Sequence, residues 1–174
     1  MTDLSTTDAL LLRLAEALER LAPPVESPPL ELEEGSVFVW DGAARAVRAV
    51  PSPRRVPLDL LFGIDGSKET LLANVRRFAQ GLPANHALLW GARGTGKSAL
   101  VKAVHAAVAG TVPSLKLVEV ARTDIAKIPA LAAGLGASGQ RVILFIDDLS
   151  FERGDDGYKA LKSVLDGGVS GDLN

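Results

Sequence analysis

The sequence contains no cysteine. That excludes disulfide scaffolds, thiolate zinc sites and cysteine nucleophiles. Two histidines, His86 and His105, leave little room for a histidine metal cluster. No uninterrupted apolar run is long enough to cross a bilayer. The start, Met1-Thr2-Asp3-Leu4, lacks the basic segment of a secretory signal. Charge of one sign is also lacking: the formal net charge is −2 and the pI is near 5.7. No overall basic field therefore invites nucleic acid or an anionic membrane. The resulting expectation is a soluble cytoplasmic protein. What is present suits a globular domain: 47% of the 174 residues are apolar and 23% are charged. This length fits one domain with appendages, or one domain and part of another.

Three regions are expected. Residues 1–22 carry an amphipathic helix, with Leu11, Leu14, Leu18 and Leu21 on one face and Asp8 as its N-cap. That stripe packs either on its own domain or on a partner or second copy. Residues 23–57 form a proline-rich linker holding a short β-hairpin. Its strands are Ser36 to Trp40 and Ala43 to Val50, turned at Asp41-Gly42. Residues 58–174 show a more regular alternation. Asp65 caps a helix from Gly66 to about Gln80, with Leu71, Leu72, Val75 and Phe78 inward. Ala87 to Trp90 reads as a short strand. A largely buried helix runs from Gly96 to Val108, followed by a strand at Leu115 to Val120. Asp124 to Leu135 is a weaker helix interrupted by Pro129. Val142 to Ile146 is the strongest strand signal and implies burial on both faces. A last helix covers Tyr158 to Leu165. This order predicts an α/β domain with a parallel sheet.

Gly91-Ala92-Arg93-Gly94-Thr95-Gly96-Lys97-Ser98 fits the phosphate-loop pattern G-x-x-x-x-G-K-[ST]. The glycines permit close backbone approach and unusual dihedral angles. Successive amides then form a nest for phosphate oxygens, aided by the helix that follows. Lys97 supplies a cation for the β- and γ-phosphates, and Ser98 a hydroxyl for Mg²⁺. Ala99 completes the binding stretch. At ordinary composition the pattern arises by chance in roughly one chain in a hundred of this length. Its strand-loop-helix context makes it more specific. Arg93, near the tip, either touches phosphate or is simply solvated.

A nucleotide hydrolase of this kind needs a carboxylate at the end of a neighbouring strand. Asp147 directly follows Val142 to Ile146 and is the candidate on the metal side, directly or through water. The bland alternative is a solvated, strand-terminating acid. Asp148 could orient or deprotonate the attacking water, and Glu152 could do so instead. Either could equally be a structural acid. Asp155 and Asp156 read as N-terminal charges of the last helix. His86 and His105 read as ordinary surface or strand-edge residues.

Leu88 to Ser98, together with Phe145-Ile146-Asp147-Asp148-Leu149-Ser150-Phe151-Glu152, resembles a family of uncharacterised bacterial AAA+-type ATP-binding proteins. Leu58-Asp59-Leu60-Leu61-Phe62-Gly63-Ile64-Asp65 is similar to the segment preceding the AAA+ core. Tyr158-Lys159-Ala160-Leu161-Lys162 extends the similarity, which covers about residues 37 to 174. The resemblance implies a P-loop NTPase fold, a three-layer sandwich with a parallel sheet. It implies Walker A at Gly91 to Ser98, Walker B at Val142 to Asp148, and ATP with Mg²⁺. It places Phe62, Gly63 and Ile64 against the adenine. It gives Lys97 and Asp148 catalytic roles, and Ser98 and Asp147 the metal.

There are two departures from the AAA+ pattern. Asp148 stands where the superfamily usually has Glu, which weakens the expectation of fast hydrolysis. The strand that separates Walker A from Walker B in the 5-1-4-3-2 sheet is also missing, as are a sensor, an arginine finger and a helical lid. The expectation is a truncated domain with unpaired edges at the gap. Direct pairing of the two strands is the alternative. Function is then an ATPase acting on an unknown protein partner, as a homo-oligomer or not. The competing readings are a nucleotide-binding switch without turnover, a P-loop kinase, and an inactive remnant.

Overall fold

The computed structural model describes residue 13, residues 30–32, 34–136 and 138–149, and residues 161, 162 and 165. The predicted N-terminal helix, Glu152, Asp155, Asp156 and Tyr158 lie outside the described residues, apart from Arg13, which is helical and exposed. Of the last predicted helix only Leu161, Lys162 and Leu165 are described, all helical.

The hairpin forms where it was predicted. Strand β1 spans Val37–Asp41 and β2 spans Ala46–Ala49, paired antiparallel with Trp40 opposite Val47. β-Branched and aromatic residues suit β1 to a pleated, half-buried surface. Asp41 builds the turn itself: its Oδ1 accepts the amides of Ala43 (3.1 Å) and Ala44 (3.0 Å). Those bonds favour the charged form and hold its carboxyl below the usual range. The hairpin joins a larger sheet. β1 lies parallel to β3 (Leu115–Val120), and β3 lies parallel to β4 (Arg141–Ile146). The order is β2-β1-β3-β4.

Helices cover both faces of this sheet. Helix α1 (Asp65–Ala79) and helix α2 (Lys97–Ala109) pack Leu71, Val75, Leu100, Val104 and Val108 against Leu115 and Ile143. Helix α3 (Ile128–Gly136) lies on the opposite face, with Ile128, Leu131 and Leu135 against Phe38, Val118 and Val120. Alternation along β3 and β4 delivers odd-numbered residues to one layer and even-numbered residues to the other. The result is a three-layer α/β architecture. Among the described residues, no helix is long and apolar enough to cross a membrane.

Several expectations need correction. Asp65 does not cap α1; it is the first helical residue, and its carboxylate takes the Lys68 ammonium at 2.8 Å. Ile64 occupies the cap position and offers no side-chain bond. The segment after β3 is not one broken helix. A 3-10 turn over Arg122–Lys127 precedes α3, which puts Pro129 in the first turn of α3, where a missing amide costs little. His105 is no surface residue. It is 1% exposed on α2, with Nε2 3.4 Å from the carbonyl of Leu115 and Nδ1 without a partner. Burial pushes its pKa down, the Leu115 carbonyl opposes this, and Arg55 and Lys116 add to the depression. His86 is exposed, as expected.

The largest correction concerns residues 87–90. They form no strand, and Leu88 and Trp90 are 75% and 88% exposed. Only Leu89 joins the α1–α2 cluster. The physical reason is the tether just upstream. Asn74 on α1 donates to the Asn85 carbonyl (2.7 Å) and accepts its amide (2.9 Å), and Arg77 holds the Pro83 carbonyl (3.0 Å). The chain entering the segment is thereby held at α1, and residues 87–90 join no ladder. Direct pairing with β4 does not occur; among the described residues β4 pairs with β3 alone. Of its apolar run only Phe145 is buried, and the other four residues are half-buried.

Candidate functional site

The loop from Gly91 to Gly96 links the extended segment to α2. Gly91, Gly94 and Gly96 have φ of 141°, 82° and 83°. A Cβ at Gly94 or Gly96 would meet nothing within 4 Å, so it is the left-handed backbone and not crowding that calls for glycine there. Thr95 Oγ1 donates to the Ala92 carbonyl at 2.9 Å and closes the loop on itself. Gly96 precedes α2 without a side-chain cap, so the first amides of the helix are open to an external acceptor.

Lys97 folds back over the loop. Its Nζ donates to the carbonyls of Gly91 (3.0 Å) and Ala92 (2.7 Å). Ser98 points the other way, toward the end of β4, where its Oγ donates to Asp147 Oδ1 at 2.7 Å. Those two residues are 49 positions apart. Asp147 Oδ1 also accepts the amide of Asp148 at 3.0 Å. A hydroxyl and a carboxylate at one point are hard oxygen ligands of the kind a magnesium ion accepts. Among the described residues, no group of three or more His, Asp or Glu could hold a metal without help. Other oxygens would have to come from a ligand or from water.

The remaining candidates are less well gathered. Asp148 is exposed with φ +50°, and its carboxylate has no partner among the described residues. A positive φ is tolerated by aspartate but uncommon outside glycine. Arg93 is exposed at the loop tip, and Ala99 is half-buried in the first turn of α2. Ile64 packs into the α1–α2 cluster that also receives Leu89 and Val101, so the 58–64 segment lies beside the base of the loop. Gly63 is exposed with φ +75°. Phe62 is 80% exposed and is not brought onto the loop. Two open cavities of about 410 and 330 Å³ lie around Leu58, between it and α1 or α2, and do not include the loop.

One charged group beside the site escaped the sequence reading. Lys102 on α2 pairs with Glu119 on β3 at 2.9 Å and stands 5.5 Å from the centre of the Phe145 ring. Its signal was present: Glu119 is an acid inside an apolar strand, and Lys102 follows Ser98 by four residues, on the same helix face.

Comparison with known proteins agrees with a single assignment. The family described as "Protein of unknown function (DUF815)" matches residues 33–173. The chain belongs to that family. No curated protein and no solved structure matches it.

Proposed function

We propose that this member of the family is a P-loop nucleotide-binding protein of AAA+ type, taking ATP with Mg²⁺ at Gly91 to Ser98 and Asp147. One observation carries the reading: the 2.7 Å hydrogen bond from Ser98 to Asp147 joins the last residue of the loop to the end of the apolar strand. Neither residue is near the other in sequence, and a glycine-rich turn beside a stray lysine would not require them to meet.

Each group has a role in such a site. Loop amides and the open first turn of α2 donate hydrogen bonds to phosphate oxygens. Lys97 exchanges the carbonyls of Gly91 and Ala92 for the β- and γ-phosphates. Ser98 contributes its hydroxyl to the metal, and Asp147 its carboxylate, directly or through water. Bound Mg²⁺ would supply positive charge against the phosphate oxygens. Calorimetric titration with ATP and Mg²⁺ tests the proposal. Lys97→Ala should weaken binding by roughly 1.5–3 kcal/mol through loss of a charge-assisted contact. Equal affinity of wild type and variant would reject it.

Recognition without appreciable turnover is the second reading, favoured by Asp148. Its carboxylate is exposed and has no partner among the described residues, and it is one methylene shorter than glutamate. Phosphate release at saturating ATP separates the two. Turnover that disappears in Lys97→Ala and Asp148→Asn supports hydrolysis, and binding without turnover supports a switch or scaffold.

A further inference from the structure

Helix α2 is joined to the sheet at two polar points on one side. Ser98 reaches Asp147. Four residues on, about 6 Å along the helix axis, Lys102 reaches Glu119 and the face of Phe145. Glu119 and Phe145 are Cα partners across the β3–β4 ladder. Asp147 lies two residues beyond Phe145 and turns to the same helix. The two contacts therefore lie one helical turn apart on α2, one at the end of β4 and the other bridging β3 and β4 through Glu119 and Phe145.

We propose that the Lys102–Glu119 pair is a positioning device for the metal end of the site, holding α2 in the rotation and height that keep Ser98 on Asp147. This inference rests on the nucleotide-binding reading above. The apolar contacts of α2, through Leu100, Val104 and Val108, hold the helix to the sheet but have no preferred direction. The start of the helix has no cap to fix it either. A salt bridge laid over an aromatic face does have a direction. It needs Lys102 above Phe145 and within reach of Glu119 at once, which admits one rotation of the helix.

Stability alone is a poor explanation for the pair. The two side chains are 31% and 33% exposed, so part of their hydration is lost. Apolar residues at the same points would pack on β3 and β4 without that cost. The loop amides from Gly91 to Gly96 lie ahead of the helix, and the open amides of its first turn point along the helix axis, so a small rotation of α2 about that axis changes neither set much. The contact of Ser98 with Asp147 does depend on that rotation. Weakening the pair should therefore reduce what Mg²⁺ adds to ATP affinity and leave metal-free affinity nearly intact.

The test measures ATP affinity with Mg²⁺ and with a chelator, for wild type, Lys97→Ala, Lys102→Met, Glu119→Gln and the charge swap Lys102→Glu with Glu119→Lys. Thermal melting of each variant runs alongside. Glu119→Gln keeps the side-chain shape, so it preserves the fold even if the other variants do not. The expected result is a Mg²⁺ enhancement reduced about fivefold to tenfold in both single variants. Metal-free affinity should stay within about twofold, and the charge swap should recover much of the enhancement. An unchanged enhancement in Glu119→Gln overturns the proposal. So does an equal loss with and without metal, which marks a purely structural pair. If wild type shows no Lys97-dependent ATP binding, the nucleotide reading falls and takes this inference with it. Lys97-dependent binding with an unaltered Mg²⁺ enhancement removes the inference alone.

Discussion

β3 and β4 are neighbours of equal length, six residues each, paired along their whole extent. By sequence β4 is the more apolar: Val142 to Ile146 is unbroken, whereas β3 carries Lys116 and Glu119. The structure reverses the order of burial. Leu115, Leu117, Val118 and Val120 in β3 are essentially sealed, while β4 buries only Phe145. Position in the sheet explains the inversion. β3 has a strand on each side and helices on both faces, whereas among the described residues β4 has a strand, β3, on one side only. Composition gives a strand's capacity for burial, and its neighbours decide how much of that capacity is used. Lys116 makes the same point, since it is buried in β3 with its ammonium on the Gly35 carbonyl at 2.8 Å.

Truncating the same residue type in each strand tests this contrast and gives the largest expected effect. Leu117→Ala should cost about 3 kcal/mol, because it opens a closed cavity beside Val37 and Phe145. Leu144→Ala should cost about 1 kcal/mol, because the half-buried side chain already meets solvent. Urea unfolding with unchanged slopes would measure both. Equal costs would break the comparison and mean that β4 is covered in solution by something beyond the described residues.

A second difference comes from acid. His105 joins α2 to the first residue of β3, and no titratable group ties α2 to β4 in the same buried way among the described residues. Its folded pKa lies below the ordinary value near 6.5. The unfolded chain therefore binds the proton first as pH falls. Stability is at its full value above about pH 6.5 and declines below it, by at most about 1.4 kcal/mol per pH unit from this group. Chemical denaturation between pH 7.5 and 5.5 should show that slope, and His105→Gln should flatten it. A parallel slope in the variant would assign the acid sensitivity to other groups.

Legibility from sequence followed the same division. Where one segment determines its own structure, its sequence alone predicts it. The hairpin was visible in Asp41-Gly42, β3 was placed at its actual ends, and α1 and α2 followed from apolar spacing and glycine stops. Ser98 and Asp147 were each named from local pattern, and they meet. What stayed hidden depends on distant partners. Residues 87–90 have strand-like composition but join no ladder, and Asn74 and Arg77 on α1 hold the chain just before them. His105 looked like a polar residue for the surface, yet its helix face is closed by β3. The pairing of Lys102 with Glu119 needs a helix and a strand to be superposed, which no single stretch announces.

The smallest expected effect concerns the two tryptophans, which repeat the contrast at single-residue scale. Trp40 is buried in β1 against the α3 layer. Trp90 stands open just before Gly91. Apolar surface that never leaves water contributes nothing to folding. Trp90→Ala should therefore change stability by less than about 0.5 kcal/mol, as for most exposed substitutions. Trp40→Ala should cost several times more. The measurement is again denaturant unfolding, repeated over a tenfold range of protein concentration. A loss above about 2 kcal/mol for Trp90→Ala that grows with concentration would show the ring to be buried in an assembly. The edge of β4 that is unpaired among the described residues and the open segment beside the glycine loop would then be candidates for one covered surface. A neutral result leaves Trp90 as a fluorescent reporter beside the loop, with Trp40 as its unchanging internal reference.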